Sequence, residues 1–375
     1  MKKKILALLT CAAMVVSMAA CGSTGAAASG DASASADTAS ADSGSSQTTD
    51  VAFITDVGNI DDHSFNQYSY EGVTRFCSDN NLNANYYQPS EDSDAARLEQ
   101  MDNAVKDGAK VVVMAGYLFG SSLAEAQDKY PDVSFLALDV STGDLENPKS
   151  NTALITYQEE QAGYLAGYAA VADGYKELGF LGGMAVPAVV RYGYGFVQGA
   201  EQAAKDNSVD GVHIKYWYCG GFAPSDDITT KMDSWYTEGT ELVFACGGGI
   251  YQSCMTAADA NSGKMIGVDV DQSADGACII TSAMKALSNS VVLALTDAKA
   301  NNWKFSDAYA GKETKLGAAD DCVGLPMSTS KFNTFSQADY DKIFATLADG
   351  SLVVDNSSDT ETKPSVSQIS VDYQE

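Results

Sequence analysis

Histidine is almost absent from this chain of 375 residues, which has only His63 and His213. No two of its eight cysteines stand in C-x-x-C spacing, so zinc-finger and histidine-rich metal sites are excluded. Positive charge is also scarce, with 23 Lys and Arg against 50 Asp and Glu and a formal net charge of -27. Lys2, Lys3 and Lys4 lie in an N-terminal stretch without acids, and removing them takes the charge to -30. Nucleic acid and anionic lipid are therefore poor partners for the body of the protein, and no basic helix-turn-helix is present. Long apolar runs are missing as well. The run from Ile5 to Val16 is too short to span a bilayer. Residues 22 to 49 contain no apolar side chain larger than alanine, and cannot bury enough surface to offset chain ordering.

These N-terminal features read as a secretory leader (1–20) followed by a tether (21–49). The small-residue stretch before Cys21, "MAAC", resembles the bacterial lipobox. That implies a mature chain lipidated at Cys21 and held on the extracytoplasmic face of the cell membrane. A flexible coil of this length spans about 30 Å, and reaches roughly 100 Å when fully stretched. The six remaining cysteines, 77, 219, 246, 254, 278 and 322, allow up to three disulfides outside the cytosol. Cys246 and Cys278 nevertheless sit in apolar runs, where a free thiol behaves as a small hydrophobe.

From about residue 50 onward, short apolar runs alternate with amphipathic segments. "VAFITD" (51–56), "ANYYQ" (84–88), "KVVVMAG" (110–116), "SFLALD" (134–139) and "NTALITY" (151–157) read as strands. Helical patterns at 64–79, 92–107 and 119–129 separate the first four. After a helix near 158–173 the order restarts with "LGFLGG" (178–183), "VHIKYWY" (212–218), "ELVFACGG" (241–248) and "KMIGVD" (264–269). This predicts an α/β fold of two doubly wound parallel-sheet lobes joined by a hinge. Trailing elements suit a chain that crosses back between lobes. The expected division is 50–160 with about 277–305, and 161–276 with about 306–375.

In such sheets ligands sit beyond the carboxyl ends of the strands. Those ends carry Asp56, Gly116 and Tyr117, Asp139, Gly182 and Gly183, the "CGGF" at 219–222, the "CGGG" at 246–249, and Asp269. In the first loop, "TDVGNIDDHSFNQ", Ser64 and Gln67 fit a capping box, and Asp61 and Asp62 suit the positive end of a helix. Asp56 ends its strand ahead of the Gly58 turn and points into the cleft. The loop also resembles the "DTDPGIDD" calcium loop of nucleoside hydrolases, with Ile54 in place of the first acid and one extra residue between the acidic clusters.

A wider resemblance covers almost the whole body. "TDVGNIDDHSFNQYSYEGV", "LGFLGGMAVPAVVRYGYGFVQGA", "VFACGGGIYQSCMTAA", "IGVDVDQ" and "TSAMK" look like the signature blocks of the basic membrane protein family. These are lipoproteins of the purine-nucleoside-receptor type that deliver ligand to an ABC transporter. The resemblance implies a type I periplasmic-binding-protein-like fold that is monomeric, uses no cofactor or metal, performs no catalysis, and has purine nucleoside and permease subunits as partners. It implies that Phe65 and Phe222 sandwich the base and that Asp56, Asn66 and Asp139 read its edge. Asp269 would take the ribose hydroxyl pair and Lys285 a sugar oxygen, while Tyr117 and Gly248 complete the lining. Arg191 matches the family's arginine, and serves equally as a structural ion pair. The alternatives are a sugar or sugar-like ligand in the same fold, or a calcium-dependent nucleoside hydrolase.

Overall fold

Runs such as Val111–Ala115 carry valine on both faces, and in a parallel sheet covered by helices both faces are buried. The computed structural model describes residues 48–374, so the leader, Cys21 and most of the tether lie outside the described residues. In chain order the body forms β1 (Val51–Ile54), α1 (Phe65–Asn80), β2 (Ala84–Tyr87), α2 (Asp94–Lys106), β3 (Val111–Ala115), α3 (Gly120–Lys129), β4 (Ser134–Leu138) and β5 (Thr152–Tyr157). It continues with α4 (Glu159–Ala172), β6 (Glu177–Gly182), α5 (Pro187–Asp206), β7 (His213–Tyr218), α6 (Asp226–Thr237), β8 (Leu242–Cys246), α7 (Tyr251–Asn261) and β9 (Lys264–Asp269). The last elements are β10 (Ile279–Lys285), α8 (Leu287–Ala300), β11 (Lys312–Leu316), β12 (Val323–Gly324), α9 (Gln337–Ala348) and β13 (Ser370–Tyr373).

Two sheets result, ordered β11-β5-β4-β3-β1-β2 and β12-β10-β9-β8-β6-β7-β13. Every pairing is parallel except the short β10–β12 edge. In each sheet the order reverses at one point, between β1 and β3 and between β6 and β8, and this opens a crevice at the strand ends. Ile54 stands level with Met114 and Tyr87, so the loops after β1 and β3 emerge side by side.

The expected division into lobes is corrected at two strands. Residues 277–285 do not return to the first lobe, because β10 pairs with β9 in the second sheet. The chain crosses back only afterwards, through α8, which packs on α1. Residues 306–316 are not in the second lobe either, since β11 adds to β5 at the edge of the first sheet. The hinge is therefore three adjacent crossings, tied by Gln158 N–H to Leu316 O at 2.8 Å and Ala286 N–H to Cys322 O at 2.9 Å. The six cysteines of the body are free, five of them buried.

Helices α4 and α5 approach each other with almost no side-chain spacer. A Cβ at Gly163 would lie 2.1 Å from the Tyr192 carbonyl oxygen, and one at Gly167 2.0 Å from that of Phe196. Reciprocally, a Cβ at Gly195 would lie 2.2 Å from Glu160 O and one at Gly199 2.0 Å from Tyr164 O. The seam fixes the start of α4, with Glu159 and Glu160, against Arg191 and Tyr192 of α5.

Candidate functional site: the cleft between the lobes

The strand-end loops of both sheets face one cleft, at the place where open α/β sheets bind small molecules. Asp56, Phe65, Asn66, Tyr117, Asp139, Phe222, Gly248, Asp269 and Lys285 all line it. The structure thus brings together the nine residues assigned to the ligand, whereas Gly182, Gly183 and Cys219, also at strand ends, are not part of the lining. It adds Asp62, Leu118, Val268, and from α5 Ala188, Val189 and Tyr192.

The first loop is organised by Asp62 rather than by Ser64. Asp62 Oδ1 accepts from the backbone N–H of Ser64 and Gln67 at 2.9 and 3.0 Å, and Oδ2 from the N–H and side-chain amide of Asn66 at 3.0 and 3.1 Å. Its four acceptor positions are therefore spent on capping α1. Asp61 is exposed and makes no such contact. The Ser64 hydroxyl makes no cap and instead donates across the cleft to Asp269 Oδ2 at 2.6 Å, so the expected capping box is replaced by an inter-lobe bond. Asn66 is likewise committed, its Oδ1 accepting from Asp56 N–H and its amide donating to Asp56 Oδ1 at 2.8 Å. It positions Asp56 and has no N–H left for a ligand. Gly58 N–H also donates to Asp56 Oδ1, at 2.6 Å, which leaves Oδ2 to face the cleft. Burial pushes the Asp56 carboxyl up to about 6, against the pull of the Asn66 and Gly58 hydrogen bonds.

These commitments also argue against a calcium cage. Among the described residues no group of three or more His, Cys, Asp or Glu is arranged to hold a metal ion. A cage from Asp56, Asp61 and Asp62 would need six to eight free oxygens, whereas one of these acids is saturated and another points to solvent.

At the floor of the cleft Lys285 ends β10 with its side chain 2% exposed. Its ammonium lies 2.6 Å from Asp139, 3.4 Å from Glu159 and 3.7 Å from Asp269. It also lies 4.6 Å from the centre of the Phe65 ring. Burial disfavours its charge, but Asp139, Asp269 and Glu159 together hold it above the ordinary lysine range. Glu159 bonds Arg191 at 2.7 Å, so Arg191 completes a structural network. Asp139 and Asp269 end equivalent strands with φ of 57° and 66°, a left-handed conformation that aspartate tolerates and that turns both carboxylates inward. Burial raises both of them, Asp139 to about 6 against the attraction of Lys285. Asp139 Oδ1 and the Tyr192 hydroxyl are buried and find no hydrogen-bond partner among the described residues.

Phe222 lies on a glycine floor, where a Cβ at Gly183 would come within 2.5 Å of its ring. Phe65 is buried on the opposite lobe at the start of α1. The residues that sequence reasoning missed come mainly from the first turns of α5. Val189 could have been found by applying the strand-end rule after β6, but Tyr192 lies further along a helix and reads as core.

Comparison with known proteins agrees with this architecture. A solute-binding protein from Aeropyrum pernix K1 superposes with a TM-score of 0.72 at 18% identity, covering 84% of this chain and 95% of that one. The ABC transporter nucleoside-binding protein BmpA of Lactococcus lactis is 30% identical over 234 residues, 59% of this chain and 64% of that protein. The chain thus spans somewhat less than two thirds of this curated relative. Basic membrane protein B of Borreliella burgdorferi is 26% identical over 279 residues, 72% of this chain and 78% of that protein. Residues 49–348 match the family described as "ABC transporter substrate-binding protein PnrA-like", a family of extracytoplasmic binding proteins rather than enzymes. With residues 49–348, most of the two-lobed body, inside that match, the chain belongs to the PnrA-like family of ABC transporter substrate-binding proteins.

Proposed function

We propose that the cleft holds a purine nucleoside, guanosine, inosine or adenosine, and that the protein, lipid-anchored through Cys21, hands it as a monomer to a membrane permease. One observation carries the reading: the cleft sets an aromatic ring from each lobe beside a buried, unpartnered carboxylate oxygen of Asp139. A flat heterocycle with N–H groups satisfies both features. The Lactococcus lactis relative, named as a nucleoside-binding protein, supports the same class. In this reading Phe65 and Phe222 stack the base, Asp56 and Asp139 accept from its N–H groups, and Asp269 and Lys285 meet the ribose while Tyr117 and Gly248 line the mouth. The concentration of carboxylates favours a neutral ligand over a phosphorylated one.

Mass spectrometry of small molecules released from freshly purified, denatured protein tests the class. A nucleoside is expected, and a pentose or hexose would overturn the reading in favour of a sugar. Phe222→Ala is expected to weaken binding about tenfold or more, because base stacking on an aromatic contributes on the order of 1–3 kcal/mol. Unchanged affinity by calorimetry in the folded variant would remove Phe222 from the site.

The pH dependence follows from Asp56. Its carboxyl is raised from 3.8 to about 6 in the folded protein. Between those values the folded chain holds a proton that the unfolded chain has lost, so this group's contribution to stability declines as pH rises through the window. Binding has the opposite sign, since a ligand N–H requires the ionised carboxylate. Affinity should be flat from pH 8 to 7 and about tenfold weaker at pH 5 from the proton on Asp56 alone, with Asp139, raised to the same value, adding to the loss. Asp56→Asn should make the profile shallower, leaving the part contributed by Asp139, which is also raised to about 6. Calorimetry showing equal affinity at pH 5 and 7.5 in the wild type would contradict the role.

A further inference from the structure

We propose that Tyr192 is a specificity-determining residue of the cleft, its phenolic hydroxyl bonding a hydroxyl of the sugar. The inference rests on the nucleoside reading above and assigns a contact that the signature blocks do not.

Tyr192 sits on α5 with its side chain 1% exposed, and it lines the cleft beside Cys246, Val268, Asp269 and Lys285. The glycine seam holds its backbone, since the Tyr192 carbonyl lies where a Cβ at Gly163 would be. Its ring meets Phe244 edge-on at 5.9 Å, and the Lys285 ammonium lies 5.7 Å from its centre. The side chain is therefore fixed from several directions, and its hydroxyl has no hydrogen-bond partner among the described residues. A buried hydroxyl in that state carries a desolvation cost that a phenylalanine of the same shape would avoid. The cost is recovered if the hydroxyl meets a polar atom of the ligand.

The neighbours decide which end of the ligand that is. Asp269 and Lys285 flank Tyr192 on the cleft floor, whereas Asp56 is bound to Asn66 at the start of α1. Asp269 is itself partly committed, with Oδ2 taken by Ser64 and Oδ1 3.7 Å from Lys285. A sugar hydroxyl that donates to Asp269 still has lone pairs to fill, and a phenol donor supplies that complement. Burial raises the Tyr192 phenol well above its ordinary range, so it remains protonated and able to donate at neutral pH.

The test is Tyr192→Phe against wild type, titrated by calorimetry with inosine, its 2′-, 3′- and 5′-deoxy analogues, and hypoxanthine, with the melting temperature of each unliganded protein recorded. The variant is expected to keep or raise its melting temperature, because an unpartnered hydroxyl is removed. It is expected to lose about tenfold in inosine affinity, and the loss should disappear for the one deoxy analogue that lacks the partner hydroxyl. Equal inosine affinity in variant and wild type would overturn the proposal while leaving the nucleoside reading intact. An equal loss for every ligand including hypoxanthine would also overturn it, by making Tyr192 a packing residue. A wild type that binds none of these compounds, nor guanosine or adenosine, would overturn the nucleoside reading and this contact with it.

Discussion

Replacing Gly167 by valine is expected to be among the most damaging single changes in the molecule. A Cβ at that position would fall 2.0 Å from the Phe196 carbonyl oxygen, and this obstacle is backbone that no rotamer change can clear. The α4–α5 seam would have to open along its length, because Gly163, Gly195 and Gly199 meet the opposite backbone just as closely. Overpacking of a tight core costs about 1–3 kcal/mol, and a rigid helix–helix contact belongs at the upper end or beyond. A fall in melting temperature of several degrees or more is expected. Ligand binding should suffer in the fraction that still folds, since α4 carries Glu159 and α5 carries Arg191 and Tyr192. Gly221→Ala is the matching control for stability, because nothing lies within 4 Å of a Cβ there. Equal melting temperatures for Gly167→Val and wild type would show that the helices are free to part.

That seam was present in the sequence as two G-x-x-x-G spacings, Gly163 to Gly167 and Gly195 to Gly199, but the helical patterns around them absorbed the signal. The central strands were legible because strands buried on both faces leave uninterrupted apolar runs, as in Val111–Ala115. Of the edge strands only β2 was read, as "ANYYQ" (84–88), and the other three leave no such trace. β11 reads Lys-Glu-Thr-Lys-Leu, β12 has two residues, and β13 is exposed on alternate positions. The lobe assignment of 277–285 failed because chain order does not say at which connection a hinge is crossed. That information lies in the pairing of β10 with β9. The site was legible wherever a polar side chain ends a strand, as at Asp56, Asp139 and Asp269. It was not legible where the role depends on a partner that only the folded chain brings into reach. Ser64 looks like a cap until its bond to Asp269 is seen, and Asn66 looks like a ligand reader until Asp56 and Asp62 are seen to occupy it.

Lys285 combines these threads, and Lys285→Met should destabilise the protein by about 3–5 kcal/mol, the cost of leaving buried charge unpaired. Its ammonium is the shared partner of Asp139, Glu159 and Asp269, which reach it from the first sheet, the hinge and the second sheet. Arg191 engages Glu159 alone among those three, so the aspartates would face each other across the cleft without a cation. Both are already pushed up by burial, and loss of the lysine would push them further. The variant should therefore be stabilised by acid: carboxylates raised in the folded state bind protons there that the unfolded chain does not, so stability increases as pH falls from 7.5 toward 5. Adding Asp139→Asn should restore part of the loss at pH 7.5, making the double variant more stable than the sum of the single changes implies. Thermal melts of the two single variants and the double at both pH values measure this coupling. If Lys285→Met melts with the wild type at pH 7.5, the three carboxylates do not depend on that ammonium, and the charge network is not what holds the lobes at their present separation.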